Sequence, residues 1–598
     1  MGTGSDRPDQ RLLKPLLSRR QKWIYRGYTL AWVLAALFFW GWWLRPAHIL
    51  DPWLYGMATG PLIWIYGLQV YFLWVLLNAR LSSAPDPVPG KYRVAMITTK
   101  TPAEPFAVVR PTLEAMLAQD YPHDTWLADE DPTPEVLEWC AEHDVRVSTR
   151  KGRDDYHRAE WPRRTRCKEG NLAFFYDHWG YRDYDLVSQL DADHVPRPGY
   201  LREMIRPFAD PAVGYVSAPS ICAANAKDKW TARTRLYAEA GFHGILQTGY
   251  TGALAPMCIG SHYAVRTQAL KEVGGLGPEL AEDHSTTMLM NAGGWRGVHA
   301  IDAIAIGDGP ASITDLVTQE FQWSRSLLSL LLNHTPRYLR RLTPRLAALF
   351  VFCQIWYPLF ALTFAMMYLL PIVAILLDRR FAEVTYPAFL AHSLPTVVAM
   401  TLVAYRLRRD GFLRPQDASV ISWEKGLFVL TQWPWVLWGV IMALADRFSG
   451  RFVDFRVTPK GGAQDAPLPG RVLAVYALLA LGCVVPVLAV SDVMQARGFY
   501  LLAVFNALAY SVVLAVIVVH HWRETGRPGR LGAALQIGTT AGVFAAIGAA
   551  LFLRGTESLA ALEAGLGPIH LTSIEYRASG ARSDARGDVV FRFDPGWN

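Results

Sequence analysis

The chain predicts an α/β domain with a mostly parallel sheet, inserted in a helical membrane domain of about seven spans. Three observations carry this. The 598 residues are 52% hydrophobic and only 19% charged, with 22 Trp, which is the composition of a membrane protein with a soluble part. Apolar runs of about 20 residues or more, long enough to cross a bilayer, lie towards both ends. Between them, from about 91 to 343, short apolar runs alternate with amphipathic stretches, the pattern of a βαβ sheet with helices on both faces.

In order, residues 1 to 24 are polar and basic, with Arg11, Lys14, Arg19, Arg20 and Lys22. Two Trp-rich runs follow, 25–44 and 53–77. The basic flank places the N-terminus in the cytoplasm, and two crossings return the chain there. The first run is too long for a cleavable signal peptide and has no small-residue cleavage site after it.

In the central region, 92–98, 125–128, 145–149, 184–190 and 213–217 read as strands. Residues 106–117, 134–140, 168–178 and 200–208 read as helices; Phe106, Val109, Leu113, Met116 and Leu117 share one helical face. Residues 313–342 read as an amphipathic helix at the membrane, followed by Arg337, Arg340 and Arg341 as a basic anchor.

Further spans are expected at 349–377, 387–405, 472–490, 499–519 and 531–553. Arg379 and Arg380 run against the positive-inside bias, whereas Arg406, Arg408, Arg409 and Arg414 argue for return to the cytoplasm. Residues 426–445 have the hydropathy of a span. Trp423, Trp433, Trp435 and Trp438 with Pro434, and the basic residues Arg447, Arg451, Arg456 and Lys460 behind them, favour an interfacial position. The tail 554–598 is then outside; 570–576 and 589–593 alternate as in a small hairpin. Any envelope partner is expected there, although nothing in the tail names one. The expected organisation is 1–90, 91–312, 313–345, 346–448, a loop at 449–470, 471–553 and 554–598.

The net charge of +7 is assigned to cytoplasmic loops rather than to nucleic-acid binding. The six Cys are scattered with no C-x-x-C, which indicates neither a disulfide framework nor a zinc site.

The chemistry-bearing stretch is Asp191-Ala-Asp-His194, at the end of an apolar strand and followed by Pro196 and Pro198. Hard oxygen ligands at a parallel strand's end suit a divalent cation, and the cation suits a diphosphate. Taken alone, the stretch reads equally well as a polar strand-to-loop junction. Five further stretches are as ambiguous singly: Asp129 in an acidic turn, Lys168 opening a helix where phosphate would meet it, Cys258-Ile-Gly-Ser261, and Glu282-Asp283, a candidate base or helix cap. The fifth is Gln319 to Trp323, a sugar platform or a membrane anchor. Thr458 and Lys460 lie on a Gly/Pro-containing loop able to close over a diphosphate.

Taken in order, Asp129, Lys168-Glu-Gly-Asn171, Asp191-Ala-Asp193, Met257-Cys-Ile-Gly-Ser261, Glu282-Asp283, Gln319 to Trp323 and Phe455 to Lys460 resemble the processive family 2 glycosyltransferases, the group of bacterial cellulose, curdlan and other β-glucan synthases. The resemblance spans about 90–465. It implies a cytoplasmic GT-A (Rossmann-like) catalytic domain, a UDP-sugar donor (UDP-glucose is expected), Mg²⁺ or Mn²⁺, and a growing glycan that leaves through the bilayer. It implies that Asp191 and Asp193 hold the metal and that Asp283 is the general base of an inverting transfer. Nucleotide-sugar contacts are implied for Asp129, Lys168, Asp191, Gln319, Gln322, Arg325, Thr458 and Lys460. Acceptor contacts are implied for Cys258, Gly260, Ser261, Glu282 and Trp323.

The chain also departs from that pattern. Ala281 replaces the Thr of Thr-Glu-Asp. Gln322 stands where an Arg is expected, with Arg325 one helical turn away as a substitute. The Phe-Phe-Cys-Gly-Ser stretch reads Met-Cys-Ile-Gly-Ser, and no PilZ-like domain follows the last span. The alternatives are a transferase adding one sugar to a lipid carrier, and an inactive polysaccharide channel or scaffold.

Overall fold

The structure is a computed structural model that describes residues 12–165, 167–450, 468–526, 528–563, 570–577 and 588–594. Its centre is a seven-stranded sheet of β1 (Val94–Lys100), β2 (Asp124–Asp129), β3 (Val145–Ser148), β4 (Leu186–Leu190), β5 (Val213–Ser217), β6 (His262–Arg266) and β7 (Arg296–His299), in the order β7-β5-β6-β4-β1-β2-β3. Only β6 is antiparallel to its neighbours, so the sheet is mostly parallel as expected.

Strand β1 is buried along its whole length. Met96 faces one apolar layer with Leu113 and Leu127; Ile97 faces the other with Trp126 and Phe175. A strand covered on both faces needs a continuous apolar run rather than an alternating one. The chain builds β1, β2 and β3 outward, then returns to lay β4 on the other side of β1. The order reverses there, and at such a point the carboxyl ends of strands form a crevice for ligands. Lys100, Asp129 and Leu190, with Asp191 after it, end β1, β2 and β4.

The helices α1 (Arg19–Trp43) and α2 (Pro52–Leu77) precede the sheet. Leu13–Pro15 pairs with Arg80–Ser82, so the entry to α1 and the exit from α2 lie side by side. Among the described residues, seven helices are long and apolar enough to cross a membrane: α2, Pro344–Leu377, Tyr386–Arg409, Trp423–Ser449, Gly470–Ala489, Phe499–Thr525 and Arg530–Glu563. The chain is thus a multi-pass membrane protein. The number agrees with expectation, but the membership differs. Trp423–Ser449 qualifies, whereas α1, with five Trp that pull its hydropathy down, does not.

Beneath the sheet domain lies the helix Ile313–Asn333, capped by the Ser312 side chain. It stops at Asn333, and short 3-10 turns carry the chain on to Arg341. Trp423–Ser449 packs against it at Gly439, where a Cβ would come within 2.1 Å of Ser324 Oγ and 2.6 Å of the Phe321 carbonyl. The tail forms the expected hairpin, His570–Arg577 antiparallel to Asp588–Asp594. Thr458 and Lys460 lie outside the described residues.

Candidate active site

The site forms where three segments meet at the carboxyl end of β4. Asp191 follows that strand, and its backbone N–H donates to the Ser261 carbonyl at 2.7 Å. Lys168, the first residue of the helix Lys168–Phe175, donates from Nζ to Asp191 Oδ1 and to the Gly260 carbonyl, both at 2.7 Å. A Cβ at Gly260 would lie 3.2 Å from Asp283 Oδ2, so glycine lets the Asp283 carboxylate approach. Lys168, Asp191, Gly260 and Asp283 thus form one chain of contacts.

Only Lys168 of its motif serves the cleft directly. Glu169 accepts the N–H groups of Arg163 and Arg164 and fixes the preceding loop. Gly170 leaves room for the Arg150 side chain and the Arg164 carbonyl. Asn171 donates to the Ala128 carbonyl at 3.0 Å, tying this helix to the end of β2.

Asp193 is held from both sides. Its Oδ1 meets His194 Nδ1 at 3.2 Å, and its Oδ2 accepts the Asp308 N–H at 3.2 Å. Burial works against a charge on His194, but the Asp193 carboxylate outweighs it and raises the imidazole to about 10. Asp191, Asp193 and His194 form the one group of three among the described residues able to hold a metal ion, with ligand atoms all within 4.8 Å. The two carboxylates suit a divalent cation, while His194, held protonated by Asp193, serves as that carboxylate's partner rather than as a ligand.

Glu282 and Asp283 open the helix Glu282–Ala292. Its N-cap is Ala281, without a side-chain cap, so Asp283 is not the cap. Asp283 Oδ1 accepts the His284 N–H at 2.7 Å. Burial pushes both carboxyls above their ordinary range; the Asp283 charge adds to this for Glu282, while backbone N–H groups and Lys168 partly offset it for Asp283. Glu282 is 6% exposed, and its Oε1 has no hydrogen-bond partner among the described residues.

Three of the expected contact residues already have partners within the protein. Asp129 is wholly buried and paired with Lys100 Nζ at 3.0 Å across adjacent strands. Cys258 is 2% exposed within the core beside Tyr215 and Tyr263, and its N–H donates to Thr287 Oγ1. Its stretch links the metal-site strand to Asp283 through Gly260 and Ser261. Arg325 is engaged by Asp446, with Nε to Oδ2 at 2.6 Å.

Trp323 is 37% exposed. The Arg235 guanidinium lies 4.3 Å from its ring centroid and donates from NH1 to Gln319 Oε1 at 2.8 Å. Gln322 lies half-buried on the same helix. The sequence reading missed Arg235, which comes from the helix Trp230–Gly241, far from every motif. It also missed Asp308, although the glycines flanking it marked a tight approach: a Cβ at Gly307 would strike the His194 ring.

The family model described as "Glycosyl transferase family group 2" matches residues 186–407, from β4 to the second apolar helix after the sheet domain. The chain is 24% identical over 517 residues to cellulose synthase 1 of Komagataeibacter xylinus, covering 82% of this chain and 31% of that one. It is 23% identical over 390 residues to the UDP-forming cellulose synthase catalytic subunit of Pseudomonas fluorescens, covering 63% and 49%. The chain therefore spans from about a third to half the length of these relatives. Among solved structures, a mannosyltransferase of Pyrobaculum calidifontis in complex with GDP-Man and Mn²⁺ aligns at 14% identity and a TM-score of 0.46, covering 66% of this chain and 99% of that one.

Proposed function

We propose that this chain, a cellulose-synthase-like family 2 glycosyltransferase, polymerises a β-glycan from a UDP-sugar by inverting transfer and passes the product across the membrane. The observation that carries the reading is the contact chain Lys168–Asp191–Gly260–Asp283, which sets a diphosphate site beside a buried base. UDP as the leaving group is supported by the UDP-forming relatives, and UDP-glucose is the expected donor.

In this reading Asp191 and Asp193 hold Mg²⁺ or Mn²⁺. When bound, the cation neutralises charge on the departing diphosphate. The protein's own residues do the rest. Lys168 offers its ammonium to the same phosphate oxygens, at a helix N-terminus that favours anions. Asp283 takes the acceptor hydroxyl proton as that oxygen attacks the anomeric carbon, and a carboxyl raised towards the working pH is suited to this task. Trp323 holds the acceptor ring in line. Glu282 directs its unpartnered oxygen to an acceptor hydroxyl.

Both ends of Trp423–Ser449 support an interfacial placement. Glu424 pairs with Arg233 at 3.1 Å and Asp446 with Arg325, both partners lying on helices of or beneath the sheet domain. A helix tied to that domain at both ends runs along the membrane surface and brings the chain to Gly450 on the catalytic side, the cytoplasmic one.

The test is turnover of radiolabelled UDP-glucose by the full chain in lipid nanodiscs with Mg²⁺ or Mn²⁺. UDP release with an elongating product is expected. The enzyme reading fails if no common UDP-sugar yields UDP or polymer, and a single-sugar lipid product would replace processive synthesis with transfer to a lipid carrier.

A further inference from the structure

We propose that Arg235 is a positioning residue for acceptor recognition, acting through Trp323; this rests on the glycosyltransferase reading above. The indole is 37% exposed, and a partly exposed Trp can turn about its side-chain torsions unless something fixes it. Arg235 supplies the constraint. It is 3% exposed, and its planar group lies against the indole at 4.3 Å. The same guanidinium is fixed by Gln319 through NH1, by Glu320 through NH2 and, at 3.7 Å, by Glu239 on its own helix. Its Nε makes no hydrogen bond, but at 3% exposure the guanidinium is enclosed by protein rather than open to a diphosphate. It forms a rigid floor beneath the ring.

The chemistry this suits is a pyranose lying flat on the remaining indole surface, its axial C–H groups against the π system and its hydroxyls at the rim. A planar guanidinium fixed by a fork of acceptors can stack in this way; a lysine ammonium cannot.

The experiment measures transfer to a soluble β-glucan oligosaccharide, with separate KM values for acceptor and UDP-glucose, and equilibrium UDP binding with Mn²⁺. Arg235→Ala is expected to raise the acceptor KM at least tenfold while the donor KM and UDP affinity stay within twofold. Arg235→Lys, which keeps the charge without the planar stack, should recover less than half of that loss on a logarithmic scale. In a Trp323→Ala background the Arg235 effect should disappear. Equal losses in UDP affinity and acceptor KM, full rescue by lysine, or an effect that persists without Trp323 would overturn the proposal. An unmutated chain with no acceptor-dependent transfer would instead overturn the glycosyltransferase reading, and the two failures are distinct.

Discussion

Two acidic clusters stand at strand ends on either side of β1 in the same sheet, and they are built in opposite ways. Asp129, Glu130 and Asp131 each have their own cation: Lys100, Arg150 and Lys151. Among the described residues, Asp191 pairs with Lys168 and Asp193 with His194, while no salt bridge reaches Glu282 or Asp283. The first cluster is electrically closed and holds strands together. In the second, Glu282 and Asp283 place negative charge in a buried site, a costly state unless a ligand supplies positive charge or the carboxyls keep their protons. Acidity at a strand end therefore does not identify a site. What identifies it is acidity without enough internal partners.

Mutations in the two clusters should separate cleanly. Asp191→Ala should remove Mn²⁺-dependent UDP binding and turnover, with the melting temperature little changed; calorimetric titration with and without EDTA checks this. UDP affinity insensitive to EDTA in the unmutated chain would erase the distinction. Asp129→Asn should do the reverse. It leaves Lys100 buried without its counter-charge, at a cost of about 3–5 kcal/mol. Chemical denaturation should show that loss, while the folded fraction keeps its metal-dependent UDP affinity.

Acid–base behaviour gives a smaller effect. Because burial raises Glu282 and Asp283, the folded state prefers both protonated. Their contribution to stability is fully present below the ordinary carboxylate range and is lost as pH rises through the raised folded values. Activity needs Asp283 ionised, so it should rise over the same interval, with an acid limb above the ordinary Asp range. Glu282→Gln should therefore raise the melting temperature at pH 8 relative to pH 5 while weakening acceptor use. A melting temperature lowered at pH 8 would show that the charge has a partner. Smallest of all, Arg325→Ala breaks a partly exposed pair with Asp446 and should cost about 1 kcal/mol or less, leaving the donor KM unchanged; a large rise in donor KM would return Arg325 to the nucleotide site.

Much of this was legible in the chain. The strands β1 to β5, the helix Phe106–Leu117 and the tail hairpin follow from periodicity, because one-sided or two-sided burial writes itself into residue spacing. Lys168, Asp191, Gly260 and Asp283 could be ordered along the sequence, and the fold brings them into contact. The fate of Asp129 was not legible, since its partner Lys100 comes from the adjacent strand, and cross-strand register is not visible in one segment. Arg235 was hidden for the same reason: its helix carries no motif, and only packing against Ile313–Asn333 brings it beneath Trp323. Cys258 looked like part of a ligand-facing loop because it precedes Gly260, but alternation along the chain turns it into the core.

The central claim, that the underpaired cluster performs the transfer, is tested most directly by Asp283→Asn, with Mn²⁺-dependent UDP affinity and sugar transfer measured on one preparation. The account predicts affinity within about twofold of the unmutated chain and transfer lower by about 10²–10⁴, the range for loss of a general base. Transfer retained near its original rate, at unchanged affinity, would contradict it.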